Sequence, residues 1–294
     1  MIKKAVIPAA GFGTRFLPQT KAQPKEMLPI VDTPTIQFVV EEAVNSGIED
    51  ILIITGKGKR ALEEHFDRNF ELESELEDKS KKEELREMQR ISNLANIYFV
   101  RQKELNGLGD AILYAEKHVG NEPFAVLLGD TIIDTPDKPI TRQLMDIYQR
   151  YEKTVIGLEE VEKSKVSRYG IVGGERISDA LLMIKELVEK PSPAKAPSNL
   201  AIAGRYILTP GIFDKIKKLK RDRSGEIQLT AALQMLLSEE AAYGLRFNGK
   251  RFDIGNKLDF LKTNVEYALK RKDFGQEFFR YLCDIVKEKG APRK

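Results

Sequence analysis

Near the start of the chain, three cations follow closely on a glycine-rich loop: Gly11-Phe12-Gly13-Thr14 leads into Arg15, Lys21 and Lys25. Gly11 and Gly13 let backbone N–H groups approach a ligand without the obstruction of a Cβ. Consecutive N–H groups in such a loop form a concavity suited to anions. The apolar run Ala5-Val6-Ile7 comes just before, so a buried strand delivers the chain into the loop. A strand, a glycine-rich turn and fixed cations together describe a site for nucleotide phosphates.

Four later stretches carry chemistry of a complementary kind. Leu127-Leu128-Gly129-Asp130 ends an apolar run with a carboxylate, suitably placed to hold a cation beyond a sheet. Arg101-Gln102-Lys103 follows another apolar run, and Gly107-Leu108-Gly109 precedes a helix start. A glutamine amide pairs with both a donor and an acceptor, as on a pyrimidine edge. Val188-Glu189-Lys190-Pro191 sets an acceptor beside a cation, which suits a sugar hydroxyl and a phosphate. Arg251-Phe252-Asp253-Ile254-Gly255 supplies a second strand-end carboxylate. Taken singly, these have plain readings too: Asp130 as a helix cap, Glu189 and Lys190 as a surface pair.

Other chemistries are excluded. A dinucleotide fingerprint needs a third glycine where Phe16 stands, and Gly56-Lys57-Gly58-Lys59 does not make a P-loop. His65 and His118 lack a metal-type partner at i+4 and read as ordinary helix residues. No Gly-x-Ser-x-Gly is present. Cys283, the single cysteine, lies on an apolar helix face and excludes an internal disulfide.

The elements that must position these residues alternate. Strands are expected at Ala5–Pro8, Asp50–Thr55, Asn96–Gln102, Phe124–Leu128 and Thr154–Leu158. Ile36, Val39, Val40, Ala43 and Val44 mark a helix between the first two. Arg60–Phe70, Glu71–Arg90 (with Asp78 and Lys82 at i,i+4) and Gly109–Val119 also read as helix. Strands separated by helices point to βαβ units and an α/β fold with a mixed, mostly parallel, Rossmann-like central sheet flanked by helices. In such sheets ligands bind beyond the carboxyl ends of the strands. Past Gly170 the texture changes to Tyr169–Val172, Leu182–Val188 and Leu200–Leu208, an antiparallel insertion or smaller second lobe. Two helical stripes close the chain, Leu258, Leu261, Val265 and Leu269, then Phe278, Leu282, Ile285 and Val286. They suit an oligomer contact or a lid on the core.

Composition sets the frame. With 41% hydrophobic and 32% charged residues, the chain is globular rather than disordered. A net charge of +3 is too balanced for general nucleic-acid binding, and the basic run Lys215–Arg221 lacks interleaved aromatics. No apolar run is long enough to span a membrane. Met1-Ile2-Lys3-Lys4 leads into a stretch too short for a signal peptide, and one cysteine suits a reducing compartment, so a cytoplasmic location is expected.

These residues carry a resemblance. Gly11-x-Gly-Thr-Arg15 followed by Pro24-Lys25-Glu26-Met27-Leu28-Pro29 resembles the signature of the sugar-nucleotide pyrophosphorylases. The likeness extends through Arg101–Glu104, Gly107–Gly109, Ser167–Gly170, Val188–Pro191, Ala196–Ile202, Gly225–Thr230 and Asp253–Gly255, from residue 3 to about residue 270. It implies Mg²⁺-dependent formation of UDP-glucose and pyrophosphate from UTP and glucose 1-phosphate. Under that resemblance Ala9, Ala10, Gly11, Gly13 and Thr14 take the nucleotide, Gln102 and Gly107 lie at the uracil, and Glu26 supports the nucleotide side. Arg15 and Lys25 hold the phosphates. Asp130 binds Mg²⁺, with Asp253 as second ligand. Gly170, Glu189 and Asn199 contact the glucose, and Lys190 its phosphate. The implied division is a catalytic domain over 1–255, nucleotide part about 1–160 and sugar-binding part about 161–255, then C-terminal helices over 256–294 in a homo-oligomer, dimer or tetramer. Two positions depart from the family pattern: Asp110 where histidine is common and Thr131 where a second aspartate follows Gly-Asp. The alternatives are thymidylyl or another sugar-1-phosphate transfer, and a non-catalytic sugar-nucleotide-binding regulator on the same fold.

Overall fold

The computed structural model describes residues 2–290. In chain order the strands are β1 (Lys4–Pro8), β2 (Pro29–Ile30), β3 (Thr33–Pro34), β4 (Asp50–Thr55), β5 (Asn96–Arg101), β6 (Phe124–Leu127) and β7 (Thr131–Asp134). They continue as β8 (Thr154–Glu160), β9 (Gly170–Arg176), β10 (Leu181–Glu189), β11 (Leu200–Leu208), β12 (Ala242–Arg246) and β13 (Lys250–Asp253). Among the described residues, nine form one sheet in the order β5-β4-β1-β6-β11-β8-β12-β10-β9. β7 pairs with β13 and β2 with β3 in two small antiparallel ribbons.

The first half is parallel, as its runs of consecutive apolar residues predict: β4 and β6 flank β1, and β5 flanks β4. Such strands are buried on both faces, with side chains alternating between two helical layers. Ile51 and Ile53 pack with Ile36, Val39 and Val40 of helix Thr35–Asn45. Leu52 and Ile54 pack on the opposite face with Ala111 and Ile112 of helix Leu108–Leu113.

The antiparallel part expected beyond Gly170 is present as β9, β10 and β11; it extends the same sheet and adds a small separate cluster of Val166, Ile171 and Ala201. β11 runs antiparallel to β6 and β8, and β10 to β9 and β12. Val172, Leu182 and Ile202 share one hydrophobic cluster with Val6 and Val126.

Three helical expectations change. The charged segment is two helices, Phe70–Asp78 and Lys82–Ser92, separated by a turn in which Ser80 has φ 56°. Asp78 and Lys82 therefore lie on different helices, and Lys79 pairs with Glu75 instead. Gly109–Val119 is likewise interrupted, as Leu108–Leu113 and Glu116–Val119. Helix Lys257–Lys270 docks through Phe260 and Tyr267 onto Ile30, Ile132, Phe252 and Ile254. Leu258 and Leu261 are each 60% exposed, so the predicted stripe faces away from the core and does not act as its lid. The helix Gly275–Lys289 leaves Phe279 and Val286 exposed as well.

Candidate active site

Because β1, β4, β5 and β6 are parallel, their carboxyl ends open onto one edge, where such sheets place ligands. The loop Ala9–Phe16 leaves β1 there, Gly56–Lys59 leaves β4, Gln102 follows β5, and Gly129-Asp130 follows β6. The loops are packed on each other: a Cβ on Gly56 would lie 2.7 Å from the Ala10 carbonyl oxygen. Gly13 has φ 66°, and a Cβ there would lie 2.9 Å from the Lys25 Cβ. Only glycine accommodates both that backbone and that approach.

A cleft of about 460 Å³ occupies this edge. Gly13, Thr14, Arg15, Lys25, Asp130, Gly170, Glu189, Lys190 and Asp253 all line it. Lys25 Nζ donates to Asp130 Oδ2 at 2.5 Å, both side chains being about three-quarters buried. Behind them, Lys59 Nζ donates to Glu26 Oε2 at 2.6 Å in full burial. Cation and carboxylate alternate from Lys59 through Glu26 and Lys25 to Asp130. Burial pushes the Lys25 ammonium down, but the Asp130 and Glu26 carboxylates outweigh it and hold the pKa above its ordinary value. Burial pushes the Asp130 carboxyl up, and Lys25 outweighs that in turn and holds it below its ordinary value. Deeper down, burial prevails: Glu26 is raised despite Lys59, and Lys59 is lowered despite Glu26.

The opposite wall is more open. Glu189 ends β10, accepts a 2.6 Å hydrogen bond from the Thr230 hydroxyl, and stands 3.3 Å from Lys190. Lys190 has φ 45°, and its N–H donates to the Tyr169 carbonyl, which aims its side chain out of the strand line. The Tyr169 hydroxyl donates to Asp253 Oδ2 at 3.3 Å, and Asp253 Oδ1 accepts from the Gly255 N–H at 2.8 Å. Arg251 lies over the Tyr169 ring and pairs with Glu159.

The remaining sequence candidates lie elsewhere. Ala9 and Ala10, the first residues of the loop, are buried, and the Ala9 N–H donates to the Ile54 carbonyl. Gln102 is buried, its amide donating to Asp110 Oδ2 at 2.6 Å. Gly107, at φ 98°, caps helix Leu108–Leu113 against Glu226 and Ile227. Asn199 does not line this cleft; its amide donates to Glu160. Sequence reasoning assigned no role to Lys59, Tyr169, Thr230 or Arg251. Ser167–Gly170 and Gly225–Thr230 were visible as motifs, but which side chain faces the cleft depends on register.

The sequence pattern defining the nucleotidyl transferases matches residues 4–270. The chain belongs to this family. It is 52% identical over 286 residues to UTP–glucose-1-phosphate uridylyltransferase 1 of Staphylococcus saprophyticus, covering 97% of this chain and 99% of the relative. A UTP-bound UGPase from Acinetobacter baumannii superposes with a TM-score of 0.90 at 39% identity, over 96% of this chain and 99% of the other. A UDP-glucose pyrophosphorylase complexed with UDP-glucose gives 0.85 at 43% identity, over 92% and 100%.

The site of this nucleotidyl transferase suits a hard divalent cation arriving with phosphates. Mg²⁺ is held by one or two carboxylates, its other positions going to substrate oxygens and water. Asp130 and Asp253 are two such carboxylates on one cleft, joined through the Ile254 N–H bonded to the Asp130 carbonyl. Among the described residues no group of three His, Cys, Asp or Glu forms a cage. Thr131, where a second aspartate was expected, is buried at the start of β7 and keeps the ribbon pairing opposite Asp253. Asp110 is tied to Gln102.

Among the described residues no helix is long and apolar enough to cross a membrane.

Proposed function

We propose that this chain joins UTP and glucose 1-phosphate into UDP-glucose, releasing pyrophosphate. The observation that carries the reading is that two charge centres far apart in sequence, Lys25–Asp130 and Glu189–Lys190, line one cleft, in a chain 52% identical over nearly its full length to a uridylyltransferase. A sugar-phosphate oxygen forms the new P–O bond at the α-phosphorus as the bond to pyrophosphate breaks in line. The attacking group is already anionic at neutral pH, so no general base or protein nucleophile takes part. Catalysis is positioning plus charge stabilisation.

Ala10–Thr14 offer N–H groups to the triphosphate, the Ala9 N–H being held by the Ile54 carbonyl, while Arg15 and Lys25 face the phosphates. Lys190 binds the sugar phosphate, and Gly170 and Glu189 the glucose; Asn199, bonded to Glu160 outside the cleft, takes no part in this reading. Asp130 and Asp253 would hold Mg²⁺, which when bound would supply positive charge to offset the repulsion between the two anions. A carboxylate only accepts, so Asp110 turns the NH₂ of Gln102 toward itself and the carbonyl oxygen away. That oxygen suits the N3–H of uracil, with Gly107 beside it. The exposed apolar faces of the C-terminal helices serve a homo-oligomer, dimer or tetramer, whose mass light scattering measures.

Pyrophosphate release from UTP and glucose 1-phosphate, with and without Mg²⁺, tests the assignment. Release that needs both substrates and the metal supports it. Faster turnover with dTTP would reassign the chain to thymidylyl transfer, and binding of UDP-glucose without any turnover to a regulator.

A further inference from the structure

One arginine is completely buried in the core. Arg205 sits in β11 with no exposed surface, where the flanking residues are apolar. β11 slips register on β8 between Ile202 and Tyr206, and Gly204 takes φ 76° with its Cβ position against Leu128. Such a bulge re-aims a side chain. Here it sends the guanidinium under the turn that carries Asp130. Nη2 donates to the Thr131 carbonyl at 2.7 Å, and Nη1 to the Gly204 carbonyl at 3.0 Å and the Leu128 carbonyl at 3.5 Å. Glu42 of helix Thr35–Asn45 neutralises the charge, accepting from Nε at 3.0 Å and Nη2 at 2.7 Å. The Thr141 hydroxyl fixes Glu42 in turn at 2.6 Å.

A buried ion pair is weak evidence for stability, since its desolvation penalty rivals its attraction. Its geometry here has another consequence. The guanidinium grips the backbone on both sides of Gly129-Asp130, and Thr131 is the ribbon partner of Asp253. We infer that Arg205, held by Glu42, is a positioning residue that sets both cleft carboxylates, Asp130 directly and Asp253 through the β7–β13 ribbon. The step to catalysis rests on the proposed function; the step to backbone order does not.

The test is the double variant Glu42→Gln with Arg205→Met. Gln keeps an acceptor for Thr141, Met fills the volume, and no lone buried charge remains. The Leu128 and Gly204 carbonyls keep backbone donors, Thr131 N–H at 3.3 Å and Leu128 N–H at 3.0 Å, so the loss falls on Thr131. Amide hydrogen exchange in the metal-free protein should quicken about tenfold over residues 128–132, with β4 and β5 unchanged. The kcat for pyrophosphate release should fall about 100-fold at a KM for glucose 1-phosphate within about threefold of wild type. Wild-type exchange and wild-type kcat in a folded double variant would overturn the inference. Should that variant not fold, Thr141→Val removes one donor to Glu42 and is read by the same exchange: faster exchange over 128–132 supports the inference, unchanged exchange overturns it. A wild-type protein that releases no pyrophosphate sinks the proposed reaction instead, leaving the exchange result to decide on Arg205 alone.

Discussion

The two walls of the cleft are built on opposite principles. On the Lys25–Asp130 wall these two charges are partnered before any ligand arrives: Lys25 is 23% exposed and locked to Asp130, with Lys59 and Glu26 buried behind. On the Glu189–Lys190 wall Lys190 is 54% exposed and only loosely opposed by Glu189. Preorganised charges in a poorly hydrated site act most strongly on charge that moves during the reaction. Exposed charges on a flexible stem act mainly on binding, because they order only when the ligand is present. Under the proposed function, the contrast predicts transition-state stabilisation from the first wall and substrate capture from the second.

The sharpest way to break that contrast is to remove the locked pair. Lys25→Ala and Asp130→Ala should each lower kcat about 100- to 1000-fold in pyrophosphate release at saturating UTP and Mg²⁺, with the fold retained by circular dichroism. Near-wild-type rates in both would dissolve the division. Lys190→Ala should raise KM for glucose 1-phosphate about 10- to 100-fold, the worth of a hydrogen bond to a charged group, with kcat little changed. An equal fall in kcat would place Lys190 in the transition state with Lys25.

Smaller effects sharpen the structural side. Gly13→Ala should lose about 1–3 kcal/mol in urea unfolding, since its backbone is left-handed and its Cβ would crowd Lys25. Gly58→Ala has φ 78° but open space around it, and should lose less. The pH dependence is smaller still. Asp130 is held below its ordinary value because Lys25 outweighs the effect of burial, so its contribution is complete above the unfolded carboxylate range and lost as pH falls through the depressed folded value. The stability difference between wild type and Asp130→Asn should therefore shrink as pH falls below the ordinary carboxylate range. A difference that stays constant would mean the pair adds no net stability.

Much of this was legible in the chain itself. The parallel strands announced themselves because strands buried on both faces are apolar throughout, as in Ile51-Leu52-Ile53-Ile54. Gly13 and Asp130 were legible because a close backbone approach and a strand-end carboxylate leave local marks. The break at Ser80 was not, since a charged segment keeps helical composition across a turn. Leu258 and Leu261 misled for a related reason: spacing reveals a stripe but not what lies opposite it.

Local chemistry, then, determined the strands, the glycine-rich loop and the identity of most groups in the cleft, because those depend on neighbours within a few residues. The tertiary structure decided which groups meet. Lys25 finds Asp130 across 105 residues, and Glu42 finds Arg205 across 163, through the order of strands in one sheet. Arg205 reads in sequence as a polar interruption of an apolar strand. Only a register slip, a left-handed glycine and a distant carboxylate make its burial tolerable, and no local pattern encodes all three.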